Sequence, residues 1–338
     1  MLFVCSIAVE ASMKINVEIL EGAFSPIENL PIVTISVTTY NSSKFVLETL
    51  NSIKTQTYPN LILQISDDCS KDKTINVCRK WIEENKERFI KCKIIIPEHN
   101  TGVSANCNRA WDNCETKYYK GIAGDDLLLP NCIEDNMKYM KEHPDAIIVF
   151  SRARTFRVIW GIKCEQGYSH DYSFFKKSQE EQYKALIEVG NVVPASSVFL
   201  DVEKVREREI RHDERIPLLE DYPKWIQMLR KGVHFHYLNV DTARYRLNDN
   251  SLSVGLFSPN YYMNNMLFYL YYFLDEIKDK NERDYIYNII ATHETRFYNR
   301  AYNAAINRRI IRVVDSITLP ILNFVRLMKT MLMNYGTL

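Results

Sequence analysis

Between Pro31 and Phe150 the chain repeatedly switches between two hydrophobic periods, and that alternation limits the folds open to it. Ile32–Thr38, Leu61–Ser66, Cys92–Ile96, Tyr118–Ala123 and Ala146–Phe150 are short apolar runs rich in β-branched residues, the signature of strands buried on both faces. Between them lie stretches with helical spacing. Ser43 is placed to cap a helix carrying Val46, Leu47, Leu50 and Ile53, which Pro59 stops. Thr74–Arg88 turns Ile75, Cys78, Trp81 and Ile82 to one side, and Val103–Cys114 and Asn131–Glu142 complete the series. Strands alternating with helices predict an α/β fold, a mostly parallel central sheet joined by right-handed crossovers.

Composition narrows the class further. With 46% hydrophobic and 25% charged residues, 338 residues can bury a sizeable core. A net charge of +1 gives no pull toward nucleic acid. Eight cysteines without a Cys-x-x-Cys pair read as reduced thiols of an intracellular protein. Met1–Ala11 is apolar but lacks the basic start of a signal peptide, so Met13-Lys14 is the expected beginning. No run is apolar enough to read as a membrane-spanning helix. His234 and His236 alternate on an expected strand, and a structural or surface role is expected for them.

The chemistry is concentrated where strands end. Leu61–Ser66 runs into Asp67-Asp68, and Tyr118–Ala123 runs into Gly124-Asp125-Asp126. Open α/β sheets bind ligands at such ends, and paired carboxylates there suit a hard divalent cation that in turn holds phosphates. The first strand ends in Thr38-Thr39-Tyr40-Asn41, and a later loop reads Asn100-Thr101-Gly102-Val103-Ser104-Ala105. Further on come Leu219-Glu220-Asp221-Tyr222 with Trp225, then Tyr245-Arg246-Leu247-Asn248 with Ser251 and Ser253.

In this order and at this spacing the segments resemble family 2 of the inverting glycosyltransferases, of the bacterial surface-polysaccharide type. The resemblance covers roughly Pro31 to Ser253. It implies a GT-A fold, a Rossmann-like sheet flanked by helices. It assigns 31–150 to a nucleotide-sugar half and 151–255 to an acceptor half, after a lead-in of 1–30 and before a helical region of 256–338. Thr38, Thr39 and Tyr40 match the nucleotide-lining segment, and Asp68 the carboxylate that accepts the base N–H. Asp125 matches the ribose contact, and Asp126 the ligand of Mn²⁺ or Mg²⁺. Asp221 matches the general base, with Glu220 as second choice. Two positions depart from the pattern. The family's Ala-Arg-Asn is Asn106-Cys107-Asn108 here, so Asn108 keeps its place while the arginine is absent, although Arg109 follows. Asn248 replaces a histidine, which shifts the expected diphosphate contact onto Arg246 and the metal.

The implied activity is metal-dependent transfer of a hexosyl unit from a nucleotide sugar, UDP-linked, to a hydroxyl of a glycan or lipid-linked glycan. The competing expectations are a sugar nucleotidyltransferase and a non-catalytic nucleotide-sugar-binding protein. Asn41-Ser42-Ser43 is not the Gly-rich basic loop of the first, and Asp221 argues against the second. Ile310–Met333 carries many aliphatics and the bases Arg312, Arg326 and Lys329. It reads as an interfacial helix on anionic lipid at the inner face of the cell membrane, or as a helix packed on the catalytic domain or on a partner copy in a homo-oligomer.

Overall fold

The computed structural model describes residues 13–159, 162–168 and 172–247, and part of 264–272. In chain order its elements are β1 (Ile15–Glu21), β2 (Val33–Thr39), α1 (Val46–Lys54), β3 (Leu61–Asp67), α2 (Thr74–Asn85), β4 (Lys91–Pro97), α3 (Val103–Asp112), β5 (Tyr118–Ala123), β6 (Leu127–Leu128) and α4 (Cys132–Glu142). They continue with β7 (Ile148–Ile159), β8 (Ile162–Tyr168), α5 (Gln179–Val189), β9 (Phe199–Asp201), α6 (Val202–Glu207), α7 (Tyr222–Arg230) and β10 (Phe235–Arg246). The chain divides into two units, 1–248 and 249–338. In the second, the described residues between 264 and 272 are helical. Met1–Ala11, Asn248, Ser251, Ser253 and Ile310–Met333 lie outside the described residues. Among the described residues, no helix is long and apolar enough to cross a membrane.

One sheet runs through the first unit in the order β1-β4-β3-β2-β5-β9-β7-β10-β6, with β8 paired to β7. Its first half, β4-β3-β2-β5, is wholly parallel. Here every residue of β3 is buried, as expected of a strand covered by helices on both faces. Connections from β2 move outward through β3 to β4, whereas β5 lies on the other side of β2. The ends of β2 and β5 therefore flank the point where strand order reverses, the crevice where such sheets take ligands.

The second half departs from simple alternation. The strand expected to end at Phe150 continues to Ile159, and β8 folds back on it as a hairpin. The short β9 wedges between β5 and β7, antiparallel to both. β10 runs parallel to β7, pairing Arg246 with Phe156. The lead-in segment also joins the sheet, since β1 pairs antiparallel with β4.

Ser43 does not cap α1. The Val46 N–H instead donates to the Ser42 carbonyl at 2.9 Å. The Ser43 N–H donates to Asp72 Oδ2 at 3.1 Å, while Asp72 Oδ1 accepts from the Thr74 N–H at 2.9 Å. One carboxylate thus ties the entrances of α1 and α2 together.

Asp68 organises the rim. The residue is 2% exposed, and both of its carboxylate oxygens meet protein donors. The Thr101 and Gly102 N–H groups donate at 3.1 and 2.8 Å, the Thr101 hydroxyl at 2.8 Å, and the Arg109 guanidinium at 2.5 Å. Arg109, also buried, donates to the Thr101 hydroxyl at 2.6 Å. The β4–α3 loop is therefore drawn onto the end of β3. Gly102 completes this joint with φ +92°, and a Cβ there would lie 2.8 Å from the Pro217 Cβ. Gly102→Ala should lose about 1–3 kcal/mol in urea unfolding, from positive-φ strain and that close approach. Arg109→Ala, which strands a buried carboxylate, should lose about 3–5 kcal/mol. A loss under about 1 kcal/mol in the second variant would show that the ion pair does not close the loop.

Candidate active site

The end of β2 is bonded to both neighbouring loops. The Thr38 carbonyl accepts from the Gly124 N–H at 2.9 Å, and the Thr39 carbonyl accepts from the Asp68 N–H at 2.9 Å. Gly124 is needed for this approach, because a Cβ there would meet the Thr39 methyl at 2.8 Å. Thr39 is buried and its hydroxyl donates to Asp67 at 2.8 Å. Thr38 is half-buried, and Tyr40 is 48% exposed at the rim. Asp67 accepts from the Ser70 N–H and hydroxyl, at 2.7 and 2.6 Å. Of the first acidic pair, Asp67 shapes its own turn and Asp68 holds the next loop. An incoming base N–H must share an Asp68 oxygen with a protein donor.

The second acidic pair is differently arranged. Asp126 is 2% exposed, and one carboxylate oxygen accepts from the Arg246 N–H at 2.9 Å. Burial, reinforced by the Asp125 charge, holds the Asp126 carboxyl well above the usual carboxylate range. Arg246 donates through Nε to the Asp125 carbonyl at 2.7 Å. Its guanidinium lies between two rings, 4.7 Å from Phe45 and 4.6 Å from Phe156. The last residue of β10 thus fixes the turn that carries both aspartates. Among the described residues, no group of three or more His, Cys, Asp and Glu could hold a metal ion by itself. A buried carboxylate that resists ionisation, beside a second one, fits a hard cation completed by water and phosphate oxygens.

Glu220 and Asp221 lie at the start of α7. Asp221 is the N-cap, accepting from the Tyr222 N–H at 2.7 Å, and Pro223 stands in the first turn without a donor. The other Asp221 oxygen accepts from the Asn191 amide at 2.6 Å. Burial, then the Asp221 charge, push the Glu220 carboxyl up to about 7. Beneath them His212 is buried, with Nδ1 2.8 Å from the Glu220 carbonyl and Nε2 3.4 Å from the Lys224 ammonium. Asn108 clamps the preceding loop, donating to the His212 carbonyl at 2.9 Å and to Glu214 at 2.7 Å, and accepting from the His212 N–H at 3.0 Å. That loop also docks on the start of α3. The Val103 N–H donates to the Pro217 carbonyl at 3.1 Å, and Ser104 to the Ile216 carbonyl at 2.9 Å.

Thr38, Thr39, Tyr40, Asp68, Asp125, Asp126 and Arg246 therefore gather at the strand-end rim. Asn108, Glu220 and Asp221 belong to the loop docked beside it. Asn191, His212 and Lys224 were not singled out by sequence. Lys224 had a signal, since it stands in the first turn of the helix that Asp221 caps. Asn191 lies in a stretch without a readable pattern.

The sequence model for "Glycosyl transferase family 2" matches residues 34–200. TuaG of Bacillus subtilis (strain 168), whose name assigns it to teichuronic acid biosynthesis, is 23% identical over 66% of this chain and 82% of its own. The Escherichia coli UDP-Glc:alpha-D-GlcNAc-diphosphoundecaprenol beta-1,3-glucosyltransferase WfaP is 24% identical over 70% of this chain and 86% of its own. Among solved structures, S. aureus TarS in complex with UDP-GlcNAc aligns with a TM-score of 0.56 at 18% identity, covering 78% of this chain and 73% of TarS. A Pyrobaculum calidifontis mannosyltransferase in complex with GDP-Man and Mn²⁺ aligns with a TM-score of 0.53 at 14% identity, covering 89% of this chain and 81% of its own. With the strand-end carboxylates, the crossover point and the Glu220-Asp221 helix start in place, residues 34–200 form a glycosyltransferase family 2 domain, and the fold is GT-A.

Proposed function

We propose that this glycosyltransferase inverts the sugar it transfers, using a UDP-linked donor, a divalent metal and a hydroxyl of a lipid-linked glycan. The observation that carries the reading is Asp221. One of its oxygens is steadied by Asn191, and the adjacent Glu220 is a carboxyl that retains its proton more readily. Single displacement needs one ionised carboxylate to take the acceptor proton. The acceptor oxygen forms a bond to the anomeric carbon as the bond to the departing diphosphate oxygen breaks, and the hydroxyl proton passes to Asp221. With an α-linked donor the product is β-linked. The family 2 match over residues 34–200 favours this reading over the nucleotidyltransferase alternative.

Thr38, Thr39, Tyr40, Asp68, Asp125 and Arg246 line or brace the nucleotide pocket in this reading, whereas Asn108, expected there, holds the 212–214 loop instead; Asp126 holds Mn²⁺ or Mg²⁺ together with the donor diphosphate. The bound metal would act as a Lewis acid that offsets charge on the departing nucleoside diphosphate. Support for the donor and metal comes from two similar folds, one bound to UDP-GlcNAc and one to GDP-Man with Mn²⁺. Support for a lipid-diphosphate acceptor comes from the name of WfaP. Such acceptors put the reaction at the cytoplasmic membrane face, where Ile310–Met333 would be the contact.

Two measurements test this. Asp126→Ala should abolish transfer and Mn²⁺-assisted UDP binding with the fold retained. In the wild type Mn²⁺ should bind more tightly as pH rises, because the proton favoured by burial competes with the metal. Full activity in EDTA would falsify the metal role. Asp221→Asn should keep UDP affinity and lower turnover at least about a hundredfold. Parallel loss of affinity and turnover would reduce Asp221 to a helix cap.

A further inference from the structure

Lys224 lies in the first turn of α7, three residues after its N-cap Asp221, and both Asp221 and the preceding Glu220 are near enough to act on its charge. It is 6% exposed. The ammonium lies over two indoles, 4.1 Å from the Trp225 ring and 5.3 Å from the Trp111 ring. Its polar contact is His212 Nε2 at 3.4 Å. The opposite ring nitrogen faces the Glu220 carbonyl, which can only accept, so Nδ1 carries the proton and Nε2 offers Lys224 a lone pair.

Burial strips the ammonium of water and lowers its pKa, a cost that the indole faces and the neighbouring carboxylates offset. An apolar chain would pack between two indoles without the cost of desolvating an ammonium. The first turn of a helix is also the positive end of its dipole. Burial, then the Lys224 charge, keep His212 well below its ordinary pKa, so the imidazole is neutral and cannot supply the charge itself. From α3 the facing group is Cys107, whose thiol burial pushes up to about 12 and keeps neutral. Arg211, beyond His212, is paired with Asp112 at 2.7 Å. The remaining charged groups around the ammonium are Glu220 and Asp221.

We propose that Lys224 is a positioning residue for the general base. Its charge favours the ionised form of the Glu220–Asp221 pair, and its bond to His212 fixes the backbone from which both carboxylates project. The proposal rests on Asp221 being the base. It makes the base strength of this chain depend on a group that touches neither donor nor acceptor.

Lys224→Gln, one bond shorter, keeps a donor for His212 but removes the charge, whereas Lys224→Met removes both. The probe is UDP release from UDP-glucose or UDP-N-acetylglucosamine, whichever the wild type cleaves faster, followed from pH 5 to 9 with Mn²⁺, alongside UDP affinity. A general base acts when ionised, so activity rises with pH through the pair's titration, and losing the cation moves that limb upward. Both variants should shift the acid limb of kcat up by about one pH unit, lowering turnover about tenfold below it, with UDP affinity unchanged. Lys224→Arg, which keeps the charge, should hold the wild-type limb. A wild-type limb in Lys224→Gln, a uniform loss at every pH, or a limb displaced as far in Lys224→Arg as in Lys224→Gln overturns the proposal. Wild-type turnover in Asp221→Asn would instead remove the base reading itself. An inactive Asp221→Asn beside a wild-type Lys224→Gln profile would remove only the role of Lys224.

Discussion

The buried pair of Asp68 and Arg109 is the joint on which the rim depends. Charge-assisted bonds of this kind are short and directional, and breaking a buried one leaves an uncompensated charge. Here the carboxylate also accepts from two backbone N–H groups and a hydroxyl of the β4–α3 loop. That loop carries Gly102, and Gly102 is in contact with Pro217, three residues before Glu220. A single ion pair at a strand end therefore reaches, through one loop, the segment that bears Glu220 and Asp221.

The acidic pairs of the chain separate by what satisfies them. Asp67 and Asp68 are occupied by protein donors and do structural work. Asp126 and Glu220 have fewer donors, and burial beside a neighbouring carboxylate makes ionisation harder for each. Adjacent like charges in a buried setting are unfavourable unless something offsets them. At Asp126 a metal ion would be the offset. At Glu220 and Asp221 the offset is already in the chain, as the ammonium of Lys224. Sequence alone made the pairs look alike, because two neighbouring carboxylates do not reveal how many donors will surround them.

The parallel half of the sheet was nearly all legible. Tyr118–Ala123 has the same ends in sequence and structure, and the expected strands ending at Thr38 and Ser66 fall one residue short of β2 and β3. Buried parallel strands announce themselves through continuous β-branched runs. The second half was not legible, for two reasons. In β7, Arg152, Arg154 and Arg157 read as loop, although Ala153 and Phe156 are buried among them. And β9 is only three residues long, held in place by pairing with strands distant in sequence. At the site, the missing arginine of the Ala-Arg-Asn segment misled more than it informed. Arg109 serves the rim from two residues later, while Asn108 turns away to the 212–214 loop.

That displacement follows from helix geometry. On α3, Asn106 and Arg109 are three residues apart and share a face, which meets Ser66 and Asp68 at the end of β3. Asn108 and Trp111 are likewise three apart and form another face, which meets His212 through the Asn108 amide and a ring contact of 4.6 Å. Cys107, four residues before Trp111, is on the side that Lys224 and Glu220 approach. An arginine at 107 would compete with Lys224 for the same carboxylates, whereas at 109 it is committed to Asp68. The chain thus uses one helix to divide its cations, the guanidinium closing the strand-end rim and the ammonium of α7 left to face Glu220 and Asp221.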